Sequence, residues 1–487
     1  MTVEPAAARA PHGPGRGVEA EAVDAGYLQK RELRTGTAGW VLLAGLGVAA
    51  VISGDYAGWN FGLAEGGFGG LLIAVVLMAV MYSAMVFGLA ELGSALPTAG
   101  GGYTFARRAL GPWGGYATGI AVLIEYAIAP AAIATFIGAY VESLGLFGIT
   151  DGWWVYLAVY AIFIGIHLLG VGEALKVMMA IAGVAVAGLV LYLVGAVPAF
   201  DAGKLLDIAP TGAAGASDFL PYGVLGIWAA FPFAIWFFLA VECVPLAAEE
   251  ARDPARAMPR GIVAAMGVLL VLAVLMLVFT SGAGGSAAMS ASGNPPVEAL
   301  EVAGASSWLT TVVNYAGLFG LVASFFSIIY AYSRQTFALS RAGYLPRRLS
   351  ITNSRKAPML ALLVPGAIGF VLSLTGQGAM LLNMAVFGAT VSYVLMMVSH
   401  IVLRRREPDL PRPYRTPGGT VTTGIALVLA AAAVLATFLV DPVAAVWTLV
   451  AYGVFLTYFA LYSRHHLVAA APEEEFAALA AAGEELR

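Results

Sequence analysis

The sequence predicts an all-α integral membrane protein with twelve transmembrane helices. Its 487 residues are 60% hydrophobic and 11% charged, and the mean hydropathy is +0.86. Soluble domains carry about 25% charged residues, so this chain lacks the polar surface to coat its apolar mass in water. Long stretches without Asp, Glu, Lys or Arg alternate with short loops that hold the charges. Lipid is therefore the expected solvent for most of the chain.

The lengths of the charge-free stretches predict the helix boundaries. A spanning helix needs about 20 mostly apolar residues. The stretch 357–403 is too long for one helix, and it divides at the turn-forming segment Thr375–Gly378. The predicted spans are 38–64, 68–92, 114–143, 153–171, 174–197, 221–250, 259–282, 308–341, 358–376, 380–403, 420–440 and 443–463.

The positions of Lys and Arg predict the orientation, because cytoplasmic loops of membrane proteins are enriched in both. If both termini are cytoplasmic, every Lys and Arg except Lys204 falls on the cytoplasmic side. This pattern is typical of a multi-pass protein of a bacterial-type inner (plasma) membrane. The basic residues then determine topology, so the net charge of −4 gives no reason to expect a nucleic-acid partner.

The sequence gives no indication of an enzyme or a cofactor. The single Cys243 excludes an intramolecular disulfide, and the His residues show no metal-ligand spacing. Neither a nucleophile–base pair nor a phosphate-binding loop is recognisable. The first 27 residues are rich in Ala, Gly and Pro and lack the apolar core of a secretory signal. Residues 1–35 are therefore predicted to form a disordered cytoplasmic leader.

Two predicted spans are interrupted by residues that break helices. The first break, residues 51–62, gathers small and polar residues around Asp55 in mid-span. The second break, residues 231–242, holds Pro232, an aromatic run and Glu242. A membrane helix can break only where protein or water satisfies the freed backbone groups. Broken helices in corresponding positions of two halves indicate an inverted-repeat transporter whose site lies near the midplane.

Three motifs mark the ends of predicted helices two, six and eight. They are Ala95–Tyr103 with Arg107–Gly111 in the loop after helix two, Ala247–Gly261 in the loop after helix six, and Ser333–Arg334 with Ala338–Pro346 at the end of helix eight. In this order they resemble the loops of the amino acid–polyamine–organocation (APC) superfamily of permeases, and the resemblance covers about residues 35–465. Within the superfamily, the chain is most similar to the ethanolamine permeases. The segments that carry this similarity are Val51–Asp55, Gly58–Leu63, Ile124–Ala134 and Ala234–Glu242.

The resemblance implies a LeuT-type fold, in which ten core helices form two inverted five-helix repeats with discontinuous helices one and six. The repeats would cover residues 36–200 and 201–403. Helices 11 and 12, within 404–464, are appended to this core, and residues 465–487 form a cytoplasmic tail.

The resemblance also places a substrate site at the first break. In amino-acid-carrying members this break reads Gly-Ser-Gly, and its free N–H groups hold the substrate carboxylate. Here the three positions are Ser53, Gly54 and Asp55. The Asp55 carboxylate would repel another about 4 Å away by about 4 kcal/mol at an effective dielectric of about 20, which favours an amine without a carboxylate. A second interpretation makes Asp55 an N-cap of the following half-helix.

Further candidate residues lie on helices six, three and eight. Glu242 matches a glutamate of the arginine–agmatine exchangers, and Trp236 matches the family's aromatic gate beside the substrate. Glu125 is either a coupling carboxylate or a structural partner. Ser324 and Ser327 are candidates for an ion site or for helix packing. The predicted substrate-binding residues are Ser53, Gly54, Asp55, Trp236, Phe238, Ala240 and Glu242.

Together these residues predict a secondary active transporter that imports ethanolamine, or a close small primary amine, by alternating access. The alternatives are an amino acid or polyamine permease or exchanger of the same fold and a transport-like sensor, which the short tails disfavour. The expected partners are the amine substrate and the lipid bilayer, without nucleic acid, metal or organic cofactor. Coupling to H⁺ and coupling to Na⁺ are both open at this point.

Overall fold

A computed structural model describes residues 18–474 except 22, 25, 34, 37, 146, 147 and 149–151. Within these residues the regular structure is helical, and strand-like pairing is limited to isolated bridges, which confirms the all-α prediction. In chain order, helices α1 to α17 are Trp40–Val51, Ser53–Tyr56, Phe61–Ala95, Gly102–Ser143, Gly152–Leu168, Val171–Ala196, Ala202–Leu205, Gly223–Ala229, Phe231–Trp236, Pro254–Gly284, Ser286–Met289, Pro295–Val302, Ser307–Arg341, Met359–Ser373, Gly378–Arg406, Thr420–Val440 and Pro442–Leu461.

Many of these helices are suited to a bilayer. Nine of those in the described part of the chain are long and apolar enough to cross a membrane. Three shorter apolar helices, Trp40–Tyr56, Gly152–Leu168 and Met359–Ser373, correspond to the first, fourth and ninth predicted spans. The helices support the predicted multi-pass membrane protein, while the count of twelve spans and the inverted repeat stay predictions.

The first break separates α1 from α3. The single helical turn α2 is followed by Ala57, whose backbone is extended, and by Gly58, which has a φ of 96°. Helix α3 begins at Phe61 and kinks at Gly67, which has a φ of 65°. A Cβ at position 67 would also clash with the ring of Pro221, so only glycine fits there. The first two predicted spans therefore meet at this kink.

The second break interrupts the sixth predicted span. Helix α9 ends at Trp236, and regular structure resumes in the 3-10 helix Val241–Glu250. Between them Ala240 has a φ of 78°, a left-handed conformation that non-glycine residues seldom adopt. Such a conformation persists only where the surrounding structure holds it, and it is common at binding sites.

The structure differs from the predicted boundaries before the third span. Helix α4 begins at Gly102 and not at residue 114, and it passes through a kink at Gly111, where φ is 79°. At Gly111 one helical segment ends and a second begins with Pro112, a residue favoured at the first position of a helix, so the predicted start at 114 lies close to the start of the second segment. The predicted external loop 284–306 also contains two short helices, α11 and α12.

Both ends of the described chain pack on one face of the bundle. We call this face the basic end, because three arginines lie there. Arg107 is near the start of α4, Arg341 is the last residue of α13, and Arg347 follows α13. The described residues of 18–33, in the predicted leader, lie there, and the Tyr27 hydroxyl donates to the carbonyl oxygen of Arg341 over 2.9 Å. The remaining leader residues 1–17 and tail residues 475–487 lie outside the described residues.

The long helices form two packed groups around the breaks. Helices α1 and α3 pack against α10 and against the 3-10 helix after the second break. Helix α4 packs against α13, α14 and α15. The two breaks therefore belong to one group, and the second group lies against them.

Candidate functional site

The two breaks are in direct contact. A Cβ added at Gly54 would clash with the carbonyl oxygen of Trp236 and would lie 3.2 Å from the Cα of Phe237. The indole N–H of Trp236 donates to the carbonyl oxygen of Ala57 over 2.9 Å. Only glycine at position 54 lets the two backbones approach this closely. The structure thus brings the predicted residues Gly54 and Trp236 together.

Asp55 lies next to this contact, and its side chain is fully buried. Neither carboxylate oxygen has a hydrogen-bond partner among the described residues. Ile52 occupies the cap position before α2, and the N–H of Gly58 donates to Asn60 Oδ1 over 3.1 Å rather than to Asp55. Taking an ion into a protein interior costs several kcal/mol unless a partner compensates it. A cation that enters the site would therefore pair with Asp55 without displacing another group.

Helix α13 supplies two serines with different surroundings. Ser324 Oγ accepts the N–H of Ser53 over 2.9 Å and donates to the carbonyl oxygen of Ala49 over 2.8 Å. Ser327 Oγ donates to the carbonyl oxygen of Ala323 in its own helix over 2.7 Å. Ser324 therefore lies at the first break, whereas the hydroxyl of Ser327 is bonded within α13.

Glu242 lies at the end of the second break and accepts hydrogen bonds from two tyrosine hydroxyls. Tyr126 donates to its Oε1 over 2.9 Å, and Tyr393 donates to its Oε2 over 3.1 Å. The hydroxyl of Tyr82 donates in turn to that of Tyr393 over 3.0 Å. The hydroxyls therefore fix the orientation of the Glu242 carboxyl group from two neighbouring helices, α4 and α15.

Glu125 lies beside Glu242, close enough for the two carboxyl groups to share a hydrogen bond when one of them carries a proton. Glu125 is fully buried, and no described donor bonds either of its oxygens. Two carboxylates at such a separation repel each other strongly in a buried site. The pair is therefore suited to hold one proton between two oxygens.

None of the three tyrosines around Glu242, which are Tyr82, Tyr126 and Tyr393, is among the residues that the sequence predicts for the site. Tyr82 and Tyr393 lie in apolar spans, and a hydroxyl in such a span is the sequence signal that could have identified them as site residues. The chain has 20 Tyr residues, so this signal does not single out these two. Of the predicted residues, Phe238 packs on Tyr82 with ring centroids 5.4 Å apart. Ala240, the residue with the left-handed backbone, caps the start of the 3-10 helix Val241–Glu250, to which Glu242 belongs.

Similar proteins are membrane permeases. The family model described as amino acid permease matches residues 39–461. The chain belongs to this amino acid permease family. Membership confirms the resemblance to the APC superfamily and makes the protein a membrane transporter rather than an enzyme.

Individual relatives are similar to the permease over most of their length. The branched-chain amino acid permease BcaP of Bacillus subtilis is 28% identical, over 86% of this chain and 91% of the relative. An uncharacterized transporter of Rhizobium meliloti is 28% identical, over 81% of this chain and 85% of its own. The methylthioribose transporter of Bacillus subtilis is 26% identical, over 76% and 82%. The names of these relatives do not decide the substrate of this permease, so specificity for ethanolamine stays a prediction.

The ionisable acidic and basic side chains at the breaks of the permease are all carboxylic acids. Asp55 and Glu242 are the only ionisable acidic or basic residues in 51–62 and 231–242, and Glu125 lies beside Glu242. In the described part of the chain, His, Cys, Asp and Glu form no group of three or more that is placed to hold a metal ion. The two breaks therefore carry carboxyl groups and no basic side chain.

Proposed function

We propose that this permease is a secondary active transporter that imports a small primary amine without a carboxylate, such as ethanolamine, across the inner membrane by alternating access. The observation that carries the proposal is Asp55, a fully buried carboxylate without a described partner at the contact of the two breaks. A substrate ammonium supplies the missing positive charge. A substrate carboxylate about 4 Å away would instead be repelled by about 4 kcal/mol at an effective dielectric of about 20.

The aromatic residues of the breaks add to this preference, because ammonium ions are attracted to aromatic faces. Trp59 stacks on Phe237 with ring centroids 5.3 Å apart. The buried indole N–H of Trp59 has no hydrogen-bond partner among the described residues. The first break thus offers an acceptor at Asp55 and a donor at Trp59. Ethanolamine carries a matching pair, an ammonium that donates and a hydroxyl that accepts.

Proton coupling through Glu125 and Glu242 is the second part of the proposal. The two carboxyl groups are buried side by side, and only Glu242 has tyrosine hydroxyls to stabilise its negative charge. Ionisable groups inside a membrane protein commonly form proton relays. Sodium coupling has less support, because the Ser324 hydroxyl already accepts one hydrogen bond and donates another, and that of Ser327 is bonded within its helix.

An amino acid permease of the same fold is the second candidate function, and the similarity to the branched-chain amino acid permease BcaP favours it. In this case Asp55 would pair with the substrate amino group, and the substrate carboxylate would have to dock away from Asp55. The two candidates differ in one measurable respect, which is whether a carboxylate on the substrate prevents binding.

Competition in proteoliposomes tests the proposal. Uptake of labelled ethanolamine is measured with excess propanolamine, choline, putrescine, alanine or leucine, under an imposed proton gradient. Propanolamine is expected to compete, and alanine and leucine are not. Dissipating the proton gradient with an ionophore should abolish accumulation but leave exchange of labelled for unlabelled ethanolamine. Leucine uptake without ethanolamine uptake would establish the amino acid permease instead.

A further inference from the structure

Arg341, the last residue of α13, is shared by two carboxylates at the basic end. Its guanidinium lies 2.5 Å from Glu249 Oε1 and 2.5 Å from Glu473 Oε1. The side chains of Arg341 and Glu473 are 4% and 0% exposed, and that of Glu249 is 17% exposed. One buried cation thus has two acceptors, which belong to different parts of the chain.

Glu249 belongs to the group of helices that contains the breaks. It lies in the 3-10 helix after the second break, and its carboxylate accepts the N–H of Ala99 over 3.0 Å. The carbonyl oxygen of the next residue, Glu250, accepts the N–H of Ala38 over 3.0 Å, which connects this helix to the start of α1. A movement of the broken helices therefore carries Glu249 with it.

Glu473 belongs to the terminal segment, residues 463–474, which is bonded to the end of α13. The N–H of Val468 donates to the carbonyl oxygen of Ala342 over 3.0 Å. The hydroxyl of Ser463 donates to the carbonyl oxygen of Tyr344 over 2.8 Å. These bonds hold the terminal segment beside Arg341.

The same segment is also anchored to α4. Glu474 forms an ion pair with Arg107 at 2.6 Å, and the hydroxyl of Tyr103 donates to Glu474 Oε1 over 3.3 Å. Because α4 and α13 pack directly against each other, the terminal segment is attached to the group that faces the breaks. Glu473 therefore keeps its position relative to Arg341 when the broken helices move.

We infer that Glu473 is the acceptor that keeps Arg341 paired while Glu249 moves away, so that the terminal segment is part of the gate at the basic end. Removing one partner of a buried ion pair leaves the other charge uncompensated, which strongly opposes the separation. A second carboxylate that stays in place removes that obstacle for Arg341. The inference rests on the proposed alternating access but not on the identity of the substrate.

The test uses Cys243 as a reporter of opening, because it is the only cysteine, is fully buried and directly follows Glu242. Alkylation by N-ethylmaleimide is timed in purified, full-length, substrate-free wild-type protein and in Glu473→Gln. Loss of the second acceptor should slow alkylation about threefold or more, equivalent to about 0.6 kcal/mol. The matched control is Glu32→Gln, which removes an exposed ion pair with Lys356 and should leave the rate unchanged.

A second comparison applies even if Glu473→Gln does not fold. Glu249→Gln leaves Arg341 paired with Glu473, so its thermal midpoint should stay close to that of the wild type while alkylation becomes faster. Glu250→Gln removes the carboxylate that lies 2.6 Å from Arg334, where both side chains are 1% exposed. The midpoint of Glu250→Gln should therefore fall much further than that of Glu249→Gln.

Unchanged or faster alkylation in Glu473→Gln would contradict the inference. Equal falls of the thermal midpoint in Glu249→Gln and Glu250→Gln would contradict it as well, because Arg341 would then have no effective second acceptor. None of these measurements uses a substrate. A permease that does not transport ethanolamine would therefore overturn the proposed substrate and leave the result on the gate unaffected.

Discussion

Replacing Asp55 by Asn removes the charge of the first break and keeps the size of the side chain. Truncating one partner of a buried charge pair typically costs about 2–5 kcal/mol. Coulomb attraction between Asp55 and an ammonium at about 4 Å is about 4 kcal/mol at an effective dielectric of about 20. Part of this attraction is offset by desolvation, so we expect ethanolamine to bind at least about tenfold more weakly, a loss of about 1.4 kcal/mol.

The same substitution has a second expected effect on the substrate-free protein. Asp55 is fully buried and has no described partner, so Asn removes an uncompensated group and should not lower the thermal midpoint. Ethanolamine affinity is measured by titration calorimetry on purified protein, and thermal unfolding of the same sample shows that it is folded. An unchanged affinity in folded Asp55→Asn protein would refute the role of Asp55 in binding. The structure gives Asp55 no helix to cap, because neither of its oxygens accepts a described N–H group.

The remaining predictions concern coupling, packing and topology. If Glu125 or Glu242 couples transport to protons, its Gln variant keeps substrate exchange but loses accumulation under a proton gradient; normal accumulation in both variants would exclude this coupling. Gly54→Ala should abolish uptake, because its Cβ would clash with the backbone of the second break, and wild-type uptake would show that the breaks are farther apart. Cysteines introduced in loop 342–356 should be labelled only from the cytoplasm, and those in 201–218 only from outside; the reverse pattern would overturn the orientation.

Both breaks could be predicted from local sequence. Small and polar residues in mid-span predict that the helix cannot continue through 51–62, and α1 does end at Val51. Pro232 and the aromatic run predict the second break, although the helix continues to Trp236 before the backbone departs from it. Local patterns succeed here because a helix break is itself a local property of the chain.

Contacts between distant helices could not be predicted in the same way. The tyrosines around Glu242 come from α3, α4 and α15, and no spacing along the chain relates positions 82, 126 and 393. The terminal segment is a similar case. Glu473 and Glu474 resemble a solvated acidic tail in the sequence, yet they are buried because Arg341 and Arg107 lie opposite them. Such pairs are specified by tertiary packing and not by hydropathy.

Direct uptake by the wild-type permease tests the central proposal most simply. Purified protein in liposomes is given labelled ethanolamine or labelled leucine under the same inward proton gradient, and protein-free liposomes correct for diffusion of the neutral amine. Our account predicts saturable accumulation of ethanolamine and no uptake of leucine above the protein-free level. Accumulation of leucine without ethanolamine would contradict it and would assign the buried carboxylate of Asp55 a role other than selecting an amine.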